Sequence, residues 1–184
     1  ASAAGAHAHL GIGAGDRWLL ALPLHHVAGL SVLWRSRVLG VEPVVQERLD
    51  VTEANTAGAT IAALVPTQLR RLVDAGQRLA ARVLLGGAAI SPALLAASAA
   101  GGHVGGIVRS YGLTETCGGC VYDGIPFADV EVATRAGRLA LRGPVLAAGT
   151  LAPTGLEPLT GPDGWLVTND LGEVAPDGMV SVAG

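Results

Sequence analysis

The fold is decided by the segment TIAALVPTQLRRLVDAGQRLAARVLLGG (60–87), which joins two apolar runs through a helical pattern. The runs TIAALV (60–65) and RVLLGG (82–87) are short and apolar, as buried strands are. Between them, Pro66 can begin a helix and Gly76 can end it. The apolar stripe of that helix consists of Leu69, Leu72 and Val73. A strand, a helix and a second strand in this order are typical of a parallel sheet with helices on its faces.

The alternation of strands and helices extends on both sides of this segment and then stops. Further strand-like runs are WLLALPL (18–24), PVVQ (43–46) and GIVRS (106–110). Helical spacing occurs at Val27, Leu30, Trp34 and Val38, and again in SPALLAASAA (91–100). From Gly118 onward the segments are short and alternate, as in 130–132 and 180–182. In the same way Leu139 and Leu141 face one side, with Arg138 and Arg142 opposite. We predict an α/β fold: a mostly parallel sheet flanked by helices over 1–117, followed by a small antiparallel β subdomain over 118–184.

Composition and charge exclude several classes of protein. Half of the 184 residues are apolar and only six are aromatic, so the core must be built from small aliphatic side chains. The net charge is −3 and the charges are scattered, which indicates neither a nucleic-acid nor a membrane surface. The first residues lack the charged start and apolar run typical of a signal peptide, and no stretch of about 18 apolar residues predicts a membrane span. We therefore expect a cytoplasmic protein whose two cysteines are reduced.

Residue types suited to a nucleotide occur in SYGLTETCGG (110–119), directly after a predicted strand. Ligands of open α/β sheets bind beyond the carboxyl ends of the strands. The ring of Tyr111 can stack on a base, and the hydroxyl of Thr114 can bond a phosphate oxygen. The carboxylate of Glu115 can bind Mg²⁺, which prefers oxygen ligands. On spacing alone, a polar loop with an N-cap threonine explains the segment equally well.

Four segments, in order along the chain, resemble the adenylate-forming superfamily of acyl–CoA synthetases, luciferases and peptide-synthetase adenylation domains. SYGLTETCGG is similar to the Y-G-x-T-E signature of that superfamily. LPLHHVAGL (22–30) resembles its strand-then-His segment, and LLGGAAIS (84–91) resembles its glycine turn. TNDLGEV (168–174) is similar to its ribose-binding segment. Any one of these motifs would be a weak signal, whereas four in the right order are a specific one.

This resemblance implies a role for each motif residue. Tyr111 would stack on adenine, Thr114 would bond the α-phosphate and Glu115 would bind Mg²⁺. Asp170 would hold the ribose, because its two carboxylate oxygens can accept from two hydroxyl donors. His26 would lie near the reacting carboxylate. The remaining nucleotide-binding residues would be Gly86, Gly87, Ala88, Ser110 and Gly112.

Within the superfamily, LPLHHVAGLSVLWRS, ALVPTQLRRLV and RVLLGGAAIS look most like o-succinylbenzoate–CoA ligases of menaquinone biosynthesis. That resemblance implies the use of ATP, Mg²⁺ and CoA to convert o-succinylbenzoate to its acyl-adenylate and then to its CoA thioester. The substrate has a second carboxylate, and the guanidinium of Arg35 or Arg71 could bind it through two parallel hydrogen bonds. The alternative, which we favour for each, is a surface arginine on a helix.

Three further patterns are weaker indications of a site. Cys117 and Cys120 form a C-x-x-C, which could be a redox pair or half of a zinc site. A structural zinc needs four ligands and the sequence has no second pair, while a redox pair is expected at the start of a helix and this one enters the β region. GIGAGD (11–16) precedes a strand instead of following one, so it predicts a turn and not a phosphate loop. Histidines occur close together as His7 with His9 and His25 with His26. The two-residue spacing of the first pair separates its members on a helix, so no metal site is predicted.

Two parts of the superfamily pattern are missing from these residues. The Ser/Thr/Gly-rich phosphate loop would lie before residue 1, and the C-terminal domain with its catalytic lysine would follow Gly184. All twelve basic residues are arginine, so no lysine can stand in. We therefore expect the chain to be part of a longer enzyme and to be inactive alone. Two other functions stay open: a ligase for another acid or a carrier protein, and a noncatalytic nucleotide-binding module.

Overall fold

A computed structural model describes residues 1–183, which fall into two compact units. One unit is Leu10–Ser110, and the other combines Ala1–His9 with Tyr111–Gly184. The division lies seven residues before the predicted 117/118 boundary, and it assigns the N-terminal residues to the β-rich unit. Aromatic packing explains that assignment, because the ring of His9 meets the ring of Tyr122 edge-on at 5.3 Å. The predicted change from an α/β pattern to a β pattern is confirmed.

The unit Leu10–Ser110 is built on five parallel strands. They are β1 (Trp18–Leu20), β2 (Val44–Val45), β3 (Ile61–Leu64), β4 (Arg82–Gly86) and β5 (Ile107–Leu113), of which residues up to Ser110 belong here. Their order is β2-β1-β3-β4-β5, and every neighbouring pair is parallel. All four residues of β3 are buried, as in a parallel sheet covered on both faces. β1 is shorter than the apolar run 18–24, because the chain turns at Pro23.

Four helices connect these strands. They are α2 (Val27–Leu39), α3 (Val51–Thr56), α4 (Pro66–Asp74) and α5 (Pro92–Gly101), while α1 (Ser2–Leu10) precedes β1. The helix predicted from Pro66 is confirmed, with Leu69 and Leu72 buried in the core. The short helix α3 was missed, although Asp50 caps it by accepting from two backbone N–H groups. Within residues 1–183, no helix has the length and apolar character needed to cross a bilayer.

The helix α2 is confirmed, but it presents its predicted apolar stripe to solvent. Leu30, Trp34 and Val38 are 56%, 62% and 53% exposed. The buried positions of α2 are instead Gly29, Val32, Arg35 and Ser36. Gly29 explains this orientation, because a Cβ there would lie 2.4 Å from the carbonyl oxygen of Pro23. Only a glycine lets the first turn of α2 approach the preceding backbone so closely.

The β-rich unit contains hairpins and a four-stranded antiparallel sheet. Its strands are β6 (Gly118–Tyr122), β7 (Ile125–Pro126), β8 (Glu131–Arg135), β9 (Arg138–Arg142), β10 (Thr150–Ala152), β11 (Gly155–Glu157), β12 (Leu166–Val174) and β13 (Val180–Val182). β6 pairs with β7 and β10 with β11, while the larger sheet has the order β13-β12-β9-β8. No helix occurs between 118 and 183, the last residue described, so the predicted antiparallel region is confirmed.

The hairpin of β8 and β9 closes through a two-residue turn. Arg135 pairs with Arg138, and the intervening Ala136 and Gly137 have φ angles of 50° and 76°. Two left-handed residues form the tight turn whose twist matches that of paired strands. The predicted alternation is confirmed in β9, where Leu139 and Leu141 are buried and Arg138 is exposed. It is wrong in β13, where Val180 is buried but Val182 is exposed.

The glycine-rich segment 11–16 forms a turn, as predicted. The carboxylate of Asp16 accepts a hydrogen bond from the backbone N–H of Gly13 at 3.0 Å. The backbone N–H of Asp16 in turn donates to the Gly13 carbonyl at 2.9 Å. These two bonds bind the segment to itself and lead the chain into β1.

Candidate functional site

A tyrosine and an aspartate from different strands meet in the β-rich unit. The hydroxyl of Tyr111 in β5 donates to Oδ2 of Asp170 in β12 over 2.9 Å. Burial raises the pKa of Tyr111, a side-chain hydrogen bond with Thr168 partly offsets that rise, and the adjacent Asp170 carboxylate adds to it. The phenol therefore stays protonated at neutral pH and holds one carboxylate oxygen, which leaves Oδ1 of Asp170 for another donor. The structure thus brings together two residues whose separation in the sequence is 59 positions.

Asp170 lies at an irregular point of β12. Val167 pairs with Ala140 and Leu171 with Arg138, and the register shifts between these pairs. Three residues of β12 therefore oppose the single residue Leu139 of β9. Such a bulge bends the strand and redirects side chains, and bulges are common beside functional sites.

The turn after β5 presents the two residues predicted to contact phosphate and Mg²⁺. Residues Thr114–Thr116 form a single 3₁₀ turn in which Thr114 is exposed and Glu115 is partly buried. The fully buried Thr116 closes the turn, because its Oγ1 accepts from the Leu113 N–H at 2.8 Å and bonds the Gly118 carbonyl at 2.6 Å. This threonine fixes the backbone that carries Thr114 and Glu115.

The backbone of β5 approaches β6 too closely for a side chain at position 112. A Cβ on Gly112 would lie 2.2 Å from the Gly118 carbonyl oxygen and 2.6 Å from Gly119 Cα. Both atoms belong to the backbone, so no rotamer change relieves the contact. β5 also runs on to Leu113, so residues 111–113 lie in the strand, beyond the end of the predicted strand 106–110.

The glycine turn at residues 86–88 lies in the unit Leu10–Ser110. Gly86 ends β4 and pairs with Ser110, and a Cβ on Gly86 would lie 2.6 Å from the Ser110 carbonyl oxygen. Gly87 has a φ of 81°, a left-handed conformation that favours glycine. Gly87 and Ala88 are exposed, so this turn offers backbone groups to a ligand.

His26 is the N-cap residue of α2 and is exposed. Its side chain makes no capping hydrogen bond, and its ring packs against that of His25 with 4.4 Å between centroids. Among residues 1–183, no group of three or more His, Cys, Asp and Glu side chains is arranged to hold a metal ion. The imidazole of His26 is therefore accessible at a helix N-terminus.

The two candidate arginines have opposite environments. Arg71 is exposed on α4, in agreement with the favoured interpretation of a surface arginine. For Arg35 that interpretation is wrong, because the residue is 3% exposed and its guanidinium carbon lies 5.3 Å from the centre of the Trp18 ring. The Nε of Arg35 is buried and has no hydrogen-bond partner among the described residues. A buried guanidinium of this kind needs an acceptor to offset its loss of water.

The two cysteines have different environments, and neither forms a disulfide. Cys117 is exposed and has a φ of 55°, whereas Cys120 is fully buried in β6. Burial raises the pKa of the Cys120 thiol from 9.0 to about 11. Cys120 therefore stays protonated at neutral pH, which makes it a poor nucleophile and a poor metal ligand.

The superfamily resemblance implies adenylation, and we expect replacement of both cysteines, as Cys117→Ser with Cys120→Ala, to leave that activity of the full-length protein within a few fold of the unmodified rate. Alanine is chosen for Cys120 because a hydroxyl in that buried position would need a partner. Pyrophosphate release measures the rate, and elemental analysis measures bound zinc. One zinc per chain, or loss of activity in the double variant, would contradict this expectation.

Two structurally important threonines were missed by sequence reasoning. Thr168 is buried beneath the Tyr111–Asp170 pair, and Thr116 is buried within the 114–116 turn. Both occur inside the quoted motifs, but threonine is common in turns and strands, so its type gives no signal. A signal was available only in the spacing of Thr168, two residues before Asp170, which allows a side-chain bond to that residue's N–H.

Comparison with known families gives a match over most of the chain. Residues 1–150 match the family model described as AMP-binding enzyme. A probable 2-succinylbenzoate–CoA ligase of Mycobacterium tuberculosis is 41% identical over all of this chain and 51% of its own length. The 2-succinylbenzoate–CoA ligase of Escherichia coli K12 is 35% identical over all of this chain and 42% of its own. The chain therefore spans about half the length of the curated relatives it matches.

Solved structures give the same result for the fold. E. coli MenE with a bound analogue of OSB-AMS superposes with a TM-score of 0.87 at 33% identity, covering all of this chain and 43% of that one. The o-succinylbenzoate coenzyme A synthetase (MenE) from Bacillus subtilis, in complex with ATP and magnesium ion, gives 0.84 at 29% identity over 98% of this chain and 44% of its own. The family match, the relatives and the shared fold agree with the motif arrangement, and the chain belongs to the AMP-binding enzyme family.

Proposed function

We propose that this chain supplies the nucleotide- and acid-binding part of an acid–thiol ligase that activates o-succinylbenzoate with ATP and transfers it to CoA. The observation that carries the proposal is the contact of Tyr111 with Asp170, with the Thr114–Glu115 turn directly following in the chain. The names of the relatives support the substrate, since they include 2-succinylbenzoate–CoA ligases at up to 41% identity. In this proposal residues 1–117 and 118–184 are parts of one adenylation domain, which acts in the cytoplasm.

The Tyr111–Asp170 pair would bind the nucleoside. Asp170 would accept from the ribose hydroxyls through Oδ1 and the free lone pair of Oδ2, because the Tyr111 hydroxyl occupies only one acceptor position. The Tyr111 ring would then lie beside the base attached to that ribose. Backbone groups of Gly86, Gly87 and Ala88, with Ser110 and Gly112, would contribute the remaining nucleotide contacts.

The turn after β5 would act on the α-phosphate. In adenylation a carboxylate oxygen of the acid attacks the α-phosphorus, and the bond to the departing pyrophosphate breaks. The Thr114 hydroxyl would donate to an α-phosphate oxygen as its charge grows, which stabilises the transition state more than the ground state. The partly buried Glu115 fits a magnesium ion, since Mg²⁺ is commonly held by one or two carboxylates with substrate phosphates and water. Bound there, Mg²⁺ would neutralise phosphate charge.

A histidine and an arginine would recognise the acid. The exposed His26 would lie near the carboxylate that reacts. Arg35 would bind the carboxylate that does not react, because a buried guanidinium with an unpaired Nε gains most from an anionic partner. Arg71 is the weaker candidate, since its exposed side chain is already solvated.

We expect Asp170→Ala to weaken ATP binding by the full-length protein about ten- to a hundredfold, the usual effect of losing a charged hydrogen-bond acceptor. Titration calorimetry with ATP and Mg²⁺ measures the dissociation constant. Asp177→Ala is a matched control, because Asp177 is an exposed aspartate whose contact is a local turn bond to the Met179 N–H. An unchanged ATP affinity in the Asp170 variant would remove this residue from the site. A screen of carboxylic acids for pyrophosphate release tests the substrate separately.

A further inference from the structure

Thr168 has no role in the proposed chemistry, yet it contacts the residue that would bind the ribose. Its Oγ1 accepts a hydrogen bond from the Asp170 N–H at 3.1 Å and donates to the Leu139 carbonyl at 2.9 Å. The side chain is 5% exposed. We propose that Thr168 is a positioning residue that aims the Asp170 carboxylate at the ribose, and so sets how strongly the enzyme prefers nucleotides with ribose hydroxyls. This inference rests on the proposed function.

The bulge in β12 explains why a hydroxyl is needed at this point. Three residues of β12 oppose Leu139, so the regular ladder between β12 and β9 is interrupted there. A buried backbone N–H or carbonyl that loses its ladder partner must find another. The Thr168 hydroxyl serves one group on each strand, the Asp170 N–H and the Leu139 carbonyl. It therefore holds the bulge in one shape.

The shape of the bulge determines where the carboxylate points. The Asp170 side chain is fixed at its outer end by the Tyr111 hydroxyl and at its backbone by Thr168. Without the bond from the Asp170 N–H to Thr168, the Asp170 side chain is held only by the Tyr111 hydroxyl. The carboxylate can then move with the tyrosine, away from the ribose position. The expected consequence is a loss of ribose recognition with little change in contacts to the base and phosphates.

The test compares two nucleotides in the full-length protein. Dissociation constants for ATP and for 2′,3′-dideoxy-ATP, each with Mg²⁺, are measured for the unmodified protein, Thr168→Val and Thr168→Ser. Valine keeps the branched shape and removes the hydroxyl, whereas serine keeps the hydroxyl. Thr134→Val is the matched control, because the Thr134 hydroxyl also accepts from a backbone N–H of β12, that of Val174, at 3.2 Å.

We expect Thr168→Val to weaken ATP binding about fivefold, the usual effect of one neutral hydrogen bond. The dissociation constant of the dideoxy nucleotide should change by no more than about twofold. The preference of the protein for ATP over the dideoxy nucleotide should therefore fall as ATP binding weakens. Thr168→Ser and Thr134→Val should keep the ratio of the unmodified protein. A purely structural role would weaken both nucleotides equally.

Every other outcome contradicts the inference and shows which part of it is wrong. An unmodified protein that does not prefer ATP over the dideoxy nucleotide would remove the ribose role of Asp170 and the proposal with it. A normal preference that survives Thr168→Val would remove Thr168 alone and leave the proposed function intact. If Thr168→Val does not fold, as judged by circular dichroism, Thr168→Ala replaces it in the test. We expect the same loss of preference for ATP, and an unchanged preference would again contradict the role of Thr168.

Discussion

Residues 1–184 on their own are expected to form no measurable acyl-CoA product. As pyrophosphate leaves, negative charge grows on it, so the transition state needs donors at the leaving group as well as at the α-phosphate. Thr114 and Glu115 serve only the α-phosphate in the proposed site. No lysine occurs among the 184 residues, and the superfamily resemblance assigns the remaining cationic groups to segments outside them. Loss of one such preorganised donor commonly lowers a rate about a hundredfold or more.

The measurement is pyrophosphate release and thioester formation by residues 1–184 with ATP, Mg²⁺, o-succinylbenzoate and CoA. The full-length protein under the same conditions is the positive control. Circular dichroism of the isolated chain confirms that an inactive sample is folded. Turnover near the full-length rate would mean that no group outside residues 1–184 is needed for catalysis, and the proposed assignment of roles would then be wrong.

Gly112→Ala is expected to destabilise the protein by about 3 kcal/mol, at the upper end of the cost of overpacking a well-packed site. The added methyl would meet the Gly118 carbonyl oxygen at 2.2 Å, and only separation of the β5 and β6 backbones relieves that contact. The same movement would displace the neighbouring Tyr111 and the turn that carries Thr114. We therefore expect adenylation to fall together with the stability.

Denaturant unfolding measures the effect as a lower midpoint with an unchanged slope. Gly15→Ala is the control, because Gly15 is exposed and a Cβ there would meet nothing within 4 Å. That variant should stay within about 1 kcal/mol of the unmodified protein. Equal stability of the two variants would show that β5 and β6 can separate without cost.

Periodicity in the sequence predicted which segments form helices and strands. It was less successful in predicting which face of each element is buried. The βαβ segment 60–87 was predicted correctly, because Pro66, the apolar stripe of α4 and the two apolar runs all favour the same structure. The apolar stripe of α2 correctly predicted a helix and failed to predict what it faces. Spacing defines one side of a helix, whereas the backbone approach at Gly29 decides which side is buried.

Motifs in the sequence name the candidate site residues, but they do not predict which distant segments meet in the fold. Tyr111 and Asp170 were assigned to one nucleotide through resemblance alone, since nothing local indicates that β5 and β12 bring them within 2.9 Å. The burial of Arg35 was missed because an arginine on a helix is normally exposed. Thr168 was missed because its importance depends on a register shift, which no single-strand pattern contains.

The two-residue turn at Ala136–Gly137 has a consequence for the order in which the chain folds. The pairing of β8 with β9 closes almost no loop, and hairpins of this kind form in about 1–10 μs. Pairing of β1 with β3 instead joins Trp18 to Ile61, so a loop of about 40 residues must lose its freedom before any contact is gained. We expect the β8–β9 hairpin to form early and the parallel sheet to set the folding rate, since non-local pairing is slow.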